Sequence, residues 1–412
     1  MSNQFIGTVV VVGQGYVGLP LSMALTKARW SVIGLDSDLT KINLLKSGIS
    51  SIEDIEDSTL KEVLSSGSYI PSSNTQYVSQ ADVIVICVPT PLDEQGNPDL
   101  SLLINAIQSI GPYIKNKTLI ISESTSYPGT LRKIVVDEVY KSCLIESPEL
   151  YFAVSPERVN PGDKLWSQKN TPRLVGGIDP IALEKAVSFY ETFCDEVVCL
   201  ESPEIAEAAK LLENTFRLIN ISAINEFAQV CESAGIQVSK VIDAAATKPY
   251  GFLPFRPGAG IGGHCIPVDP VYLEKWAGSY KVNFSLLTQA LEVNRNRSKY
   301  IVSRVKRIKN NEKNNIILIL GVGYKSGLSD TRESPAGPIV NELKLAGFDY
   351  EWFDPLVESW EGKKCKDING DYSAAILVVN QPGIDLSVLI KNKVPVLDCT
   401  YTFTDLNGVI SI

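Results

Sequence analysis

The sequence predicts an α/β protein: two Rossmann-like, doubly wound domains joined by a long central helix. Three observations predict it. Short β-branched runs alternate with helical stretches in the N-terminal half, the pattern of parallel strands covered on both faces. A long segment near the middle carries apolar residues at helical spacing. Beyond it the opening pattern returns, so one fold is used twice. The expected boundaries are 1–200 for the first nucleotide-fold domain, 201–305 for a central helical domain and 306–412 for the second nucleotide-fold domain.

Thr8–Val12 is a β-branched run ending at Gly13 and reads as a buried strand. Gly15–Ala28 reads as helix and Ser31–Asp36 as the second strand. Ala81–Val88 is expected as the third and Thr118–Ser122 as the fourth. At Ser202-Pro203 the texture changes. Ser202 suits an N-cap, Pro203 a first turn and Gly235 a stop. Between them Ile205, Ala209, Leu212, Phe216, Ile219, Ala223 and Phe227 recur at helical spacing, which predicts a buried spine. After a polar linker, Asn310–Asn315, the run Ile316–Leu320 enters Gly321-Val322-Gly323. Glu351–Asp354 and Ala375–Val379 then echo the strands ending at Asp36 and before Cys87.

Gly13-x-Gly15-x-x-Gly18 follows a strand and opens a helix, the context a dinucleotide fingerprint requires. Gly13 makes the tight turn, Gly15 lets the backbone reach a pyrophosphate, and Gly18 lets helix and strand pack closely. Tyr16 and Val17 lie between them, at the helix N-terminus that faces the pyrophosphate. Asp36 ends the second strand, where a carboxylate accepts from the adenosine ribose. That favours NAD over NADP, and Lys41 nearby softens the preference. Pro89 and Thr90, in Val88-Pro89-Thr90-Pro91, and Thr125 follow the next two strands on the same sheet edge. Lys210, Asn214 and Arg217 stand at i, i+4 and i+7 of the central helix, on one face. Cys265 ends the glycine-rich segment 257–263 with Asp269 four residues on, a candidate nucleophile. His264 is its neighbour in an extended segment and points the other way. Glu157, in Ser155-Pro156-Glu157-Arg158, could activate a water beside a thioester.

The formal net charge is -9, with 38 Lys+Arg against 47 Asp+Glu, which argues against a nucleic-acid binder. No apolar run could span a bilayer, and residues 1–4 lack a basic signal-peptide region; the expected location is cytoplasmic. Eight cysteines are scattered without a Cys-x-x-Cys pair, and the chain has one histidine, so no metal site is expected. Most of the cysteines read as small buried hydrophobes and free thiols.

Gly-Tyr-Val-Gly-Leu-Pro, Val-Pro-Thr-Pro, Ser-Pro-Glu-Arg, Lys-x-x-x-Asn, Gly-Gly-His-Cys and Asp-Thr-Arg-Glu-Ser occur here in that order. The chain thereby resembles the UDP-glucose/GDP-mannose dehydrogenase family over nearly its whole length. The resemblance implies a four-electron oxidation of a sugar C6 alcohol to a carboxylate by NAD, in surface-polysaccharide synthesis. The substrate implied first is UDP-N-acetylglucosamine, with UDP-N-acetylmannosamine or UDP-glucose as alternatives. A homodimer through the central helix is also implied. Cys265 would be the nucleophile; Lys210, Asn214 and Asp269 would surround the reacting oxygen and a water; Thr125 and Glu157 would hold and activate that water. Arg332 would touch the cofactor and Lys325 the UDP-sugar. Phe255, Arg256, Pro257, Gly258 and Gly262 belong to the loop that would wrap the substrate, with Arg158, Val159 and Arg217 beside it. Two departures stand out: Pro161 replaces a family acid, and Val379-Asn380-Gln381-Pro382-Gly383 replaces a turn expected to hold an acid and a histidine. A two-electron dehydrogenase and a non-catalytic nucleotide-sugar sensor are the readings of other classes.

Overall fold

The computed structural model describes residues 5–159, 165–263, 266–310, 314–403 and 406–412. The chain divides into two compact units, Met1–Glu213 with Val271–Tyr280, and Asn214–Pro270 with Lys281–Ile412.

The first unit is built on eight strands: β1 (Thr8–Val12), β2 (Ser31–Leu35), β3 (Tyr69–Ser72), β4 (Val83–Ile86), β5 (Leu119–Ser122), β6 (Tyr151–Val154), β7 (Arg173–Gly177) and β8 (Val197–Leu200). Its helices are α1 (Gly18–Lys27), α2 (Leu39–Lys46), α3 (Asp57–Ser65), α4 (Ser101–Ile110), α5 (Val136–Ser142) and α6 (Pro180–Tyr190). The strand order is β3-β2-β1-β4-β5-β6-β7-β8, and the pairs are parallel except β6 with β7. The order reverses at β1 and β4, the place where a doubly wound sheet opens a crevice at its carboxyl edge. Val9 and Val11 join the core on one face of the sheet, while Val10 and Val12 are buried on the other. That burial on both faces is why these strands read as continuous apolar runs.

Ala81–Val88 and Thr118–Ser122, expected as third and fourth strands, are β4 and β5. β3 escapes pattern reading because it is an edge strand, with Pro71 in it and Ile70 39% exposed.

The long helix α7 (Pro203–Ser233) runs from the first unit into the second, the boundary falling after Glu213. Gly235 at φ +70° ends it, with Ile236 N–H bonding back to the Cys231 carbonyl at 2.8 Å. The expected buried apolar spine is inverted. Leu212 is 60% exposed, Phe216 46% and Val230 62%, and Ile205 and Phe227 are exposed too. The face turned inward carries Glu207, Lys210, Asn214, Ser222 and Asn225 between Ala206, Leu211 and Leu218. A polar inner face must be satisfied by hydrogen bonds, and the partners are described below.

The second unit adds α8 (Val238–Ala246), the first two residues of α9 (Asp269–Ser279) and α10 (Ser285–Ile308). Its strands are β9 (Ile316–Leu320), β10 (Asp349–Phe353), β11 (Ser359–Trp360), β12 (Lys363–Lys364), β13 (Ala374–Leu377), β14 (Val396–Asp398) and β15 (Val409–Ser411). α11 (Ala336–Leu345) and α12 (Ser387–Lys391) complete it. Five of these strands form one parallel sheet, β10-β9-β13-β14-β15. Ile317 and Ile319 pack on one side and Leu318 and Leu320 on the other, the period of two that a strand imposes. The sheet is the second use of the fold expected from Ile316–Leu320, Glu351–Asp354 and Ala375–Val379. Among the described residues no helix is long and apolar enough to cross a membrane, and the seven described cysteines are free.

Candidate active site

In the first unit, β1 delivers Gly13 to the sheet edge at φ +95°. A Cβ there would stand 2.7 Å from the Cys87 carbonyl oxygen, and one on Gly18 would stand 1.8 Å from the Gly13 carbonyl oxygen. Both positions therefore demand glycine. Gly15 differs: a Cβ would meet nothing within 4 Å, so this glycine borders open space. α1 begins at Gly18 with Val17 as its N-cap; no side chain caps it and its first turn holds no acid. Uncapped N–H groups at the positive end of a helix suit a phosphate. Tyr16 donates from its hydroxyl to Glu53 at 2.9 Å.

Asp36 accepts from the Gln14 N–H at 2.8 Å and from Lys41 Nζ at 2.8 Å. Burial pushes its carboxyl up, but Lys41 and the backbone N–H groups of Asp38 and Gln14 outweigh this and hold it below the usual carboxylate range. Lys41 is thus bound to Asp36 itself. Thr90 lies beside Thr125 on the same edge and donates to its carbonyl at 2.7 Å; Pro89 is exposed. The Tyr272 hydroxyl donates to the Thr90 carbonyl at 3.2 Å.

Behind that edge lies a buried ionic cluster. Glu157 accepts from the N–H groups of Arg158 (2.8 Å) and Val159 (2.5 Å), from Gln168 (3.2 Å) and from Arg173 (3.2 Å). Burial pushes its carboxyl up; Arg173, the Val159 N–H, Gln168 and the Lys210 charge together hold it below its ordinary value. Lys210 donates to the Glu157 carbonyl oxygen. Arg173 also lies 3.4 Å from Glu123, which accepts from the Tyr190 hydroxyl at 2.6 Å. Burial drives the Glu123 carboxyl up to about 7 even with Arg173 alongside. Arg158 pairs with Glu213 at 2.8 Å. Higher on α7, buried Glu207 receives the N–H groups of Gly129 (2.6 Å) and Leu131 (2.9 Å) and fixes the loop after β5.

Sequence reasoning missed Arg173, Glu123, Tyr190 and Glu207 as parts of one site. A charge heading the apolar strand Arg-Leu-Val-Gly-Gly was the available signal for Arg173.

In the second unit, Asn214 donates to Asp269 at 2.5 Å, and both are buried. Arg217 is exposed; of the three polar residues expected on one helix face, Lys210 and Asn214 are buried and Arg217 lies at its solvent edge. The loop 255–263 is held by side chains from α7 and α10. Asn225 accepts from the Gly258 N–H and Asn294 from the Ile261 N–H, both at 2.9 Å, and Arg297 donates to the Gly258 carbonyl at 2.8 Å. Phe255 packs edge-on against Phe216, and Arg256 pairs with Asp243. Pro257 is buried. Gly258 borders open space. Gly262 has a different reason to be glycine: its Cβ would lie 2.8 Å from the Glu333 carbonyl oxygen and 2.8 Å from Pro335. Arg332 is paired with Asp330 at 2.6 Å, and Lys325 is half-buried. Cys265 and His264 lie outside the described residues, as does Pro161.

The second fold repeats the first in detail and then departs. Val322 and Gly323 give their N–H groups to Asp354 at 2.8 and 3.1 Å, as Gln14 does to Asp36. But a Cβ on Gly323 would meet Gln381 at 2.7 Å, and Gln381 bonds the Leu328 carbonyl (2.9 Å) and the Gly327 N–H (2.7 Å). The unusual turn at Val379–Gly383 thus fills its own glycine loop.

Three family models match the chain in order. They are the NAD binding domain (7–194), the central domain (204–296) and the UDP binding domain (318–401) of the UDP-glucose/GDP-mannose dehydrogenase family. The chain belongs to this family. It is an NAD-dependent nucleotide-sugar dehydrogenase. It is 36% identical over 350 residues to the UDP-N-acetyl-D-mannosamine dehydrogenase of Methanocaldococcus jannaschii, covering 84% of this chain and 78% of that one. It is also 36% identical over 357 residues to the UDP-N-acetyl-D-glucosamine 6-dehydrogenase of Pseudomonas aeruginosa, covering 85% and 83%. The solved structure of the UDP-D-ManNAc dehydrogenase of Pyrococcus horikoshii matches with a TM-score of 0.88 at 29% identity, covering 98% of each chain. For this dehydrogenase the cradle at Gly13, Gly15, Gly18 and Asp36 fits NAD on its own geometry: open space at Gly15 and an uncapped, acid-free helix start.

Proposed function

We propose that the chain oxidises the C6 hydroxyl of a UDP-N-acetylhexosamine to the carboxylate, with UDP-N-acetylglucosamine as substrate, for surface-polysaccharide synthesis. The likeness to the Pseudomonas aeruginosa enzyme over 85% of the chain carries this reading. The C2 epimer, UDP-N-acetylmannosamine, is the second reading, favoured by the several similar proteins named for it.

Bound at the Gly13–Asp36 cradle, NAD would supply the hydride acceptor for each of the two oxidations. The residues do the rest. Cys265 adds as thiolate to the C6 aldehyde, and the resulting oxyanion needs donors; Lys210 and the Asn214 amide supply them. After the second oxidation C6 is a thioester on Cys265. Glu157 takes a proton from water, hydroxide adds to the thioester carbonyl, and the C–S bond breaks to release the acid and the thiol. Glu157 is suited to this because its surroundings keep it ionised. Asp269 orients Asn214 through their 2.5 Å bond. Thr125, whose carbonyl accepts from Thr90, holds the water in this reading. Lys325 and the loop 255–262 bind the nucleotide-sugar, with Arg158, Val159 and Arg217; Arg332 serves the cofactor.

The inverted helix α7 supports a homodimer. Its exposed apolar stripe is too long to leave in water. The double variant Leu212→Glu/Phe216→Glu is expected to sediment as a monomer where the wild type sediments as a dimer. A wild-type monomer contradicts the assignment.

Following NADH with UDP-GlcNAc, UDP-ManNAc, UDP-GalNAc and UDP-glucose in parallel tests the substrate. An N-acetylhexosamine is expected to be oxidised fastest; UDP-glucose ahead of all three would overturn the choice.

A further inference from the structure

We propose that Arg173 is a positioning residue for this reaction, and that Arg173 and Glu123 together set the charge carried by Glu157. The inference rests on the reading of Glu157 as the group that activates water.

The geometry is that of one guanidinium shared between two buried carboxylates. Arg173 is 1% exposed. Its Nη2 donates to Glu157 at 3.2 Å and to Gln168, and its Nη1 lies 3.4 Å from Glu123 Oε2. Arg173 Nη1, Arg173 Nε and Glu123 Oε2 complete no hydrogen bond. The fork is therefore committed to Glu157 and only leans toward Glu123. The two acids are unequally served. Glu157 takes two backbone N–H groups besides Gln168 and Arg173, while Glu123 takes the Tyr190 hydroxyl. Two like charges beside one cation cannot both be favoured in a buried site. The proton then resides on the poorly served acid, Glu123, and the charge on Glu157.

The other groups facing the cluster agree. Half-buried Cys87, following β4, and buried Tyr190, on α6, are pushed up by desolvation and then by the Glu123 charge, so neither adds a charge near neutral pH. The Cys194 thiol is likewise raised, to about 11. Lys210 of α7 adds the second cation, at the Glu157 backbone carbonyl. The pushed-up Glu123 carboxyl, at about 7, matches this division of charge.

The test is the pH profile of kcat for acid release in Arg173→Met, Arg173→Lys, Glu123→Gln and Glu157→Gln, each with KM for the UDP-sugar. Arg173→Met removes the cation, so Glu157 holds its proton to higher pH. Its acid limb is expected to rise by about one unit or more, with kcat falling on the order of ten-fold at a pH below both limbs and little at neutral pH. Arg173→Lys keeps the charge and should leave the limb near its wild-type place. Glu123→Gln replaces an acid already neutral there, so the limb stays and any inflection near neutrality disappears. KM should change little throughout. If Arg173→Met does not fold, the Arg173→Met/Glu123→Gln variant, which also removes the unbonded Glu123 oxygen, takes its place, with the same raised limb expected. An unmoved acid limb in the folded Met variant overturns the inference. Glu157→Gln separates the two levels. Wild-type acid release in that variant removes the base reading itself. Loss of acid release there, with an unmoved limb in the Arg173 variant, leaves the base reading standing and sinks this inference alone.

Discussion

Cys265→Ala is expected to stop acid formation, by on the order of 10⁴-fold or more, while NAD binding stays at its wild-type affinity. The size follows from removing the covalent route altogether: without a thiolate no thioester forms, and the remaining donors act on an aldehyde that is free to leave. The unchanged cofactor affinity follows from where the cradle is built. The proposed cradle residues Gly13, Gly15, Gly18 and Asp36 lie in or directly after the β1–α1–β2 unit and Lys41 on α2, tied together by the Gln14–Asp36 and Lys41–Asp36 bonds. Chromatographic detection of the uronic acid, alongside titration of protein fluorescence with NAD, separates the two. Acid produced at the normal rate by the Ala variant would remove the thioester from the mechanism.

Lys210→Met is expected to lower kcat by about 10²–10³-fold, the loss usual for one donor to a developing oxyanion. Lys210 is 7% exposed, and its ammonium is held on the Glu157 carbonyl. Met fills similar space without the charge, so the fold should persist. A second effect has a fixed sign. Lys210 helps to keep Glu157 ionised, so its loss raises that carboxyl, and activity is lost at the acid end of the profile first. Stopped-flow NADH traces across pH check both effects. A variant with wild-type kcat would show that α7 contributes packing and no chemistry.

Much of this was legible in the sequence, and for a physical reason. Strands buried on both faces leave unbroken apolar runs, so β1, β2, β4, β5 and β9 announced themselves. The first glycine fingerprint was legible because Gly13 and Gly18 have no alternative in the packing. Edge strand β3, with its Pro71 and exposed Ile70, lacks that signature. The face of α7 was harder. Its apolar positions were read correctly as a stripe, but periodicity says which residues share a face and not which face is covered. Here the polar face is covered, because Glu207, Lys210, Asn214 and Asn225 are each spent on a hydrogen bond. The Arg173 cluster was invisible for another reason. Glu123, Glu157, Arg173 and Tyr190 sit on four separate segments, and only the sheet order of β5, β6 and β7 brings them together. Gln381 is the converse case: its turn looked unusual in sequence, and the structure supplies the reason, a side chain filling the second glycine loop.

The central claim is a four-electron oxidation completed on one protein, and the end-point ratio of NADH to sugar measures it most directly. A limiting amount of the preferred UDP-N-acetylhexosamine, run to completion with excess NAD, should yield two NADH and one uronic acid per sugar. One NADH per sugar, with aldehyde as the product, would contradict the account.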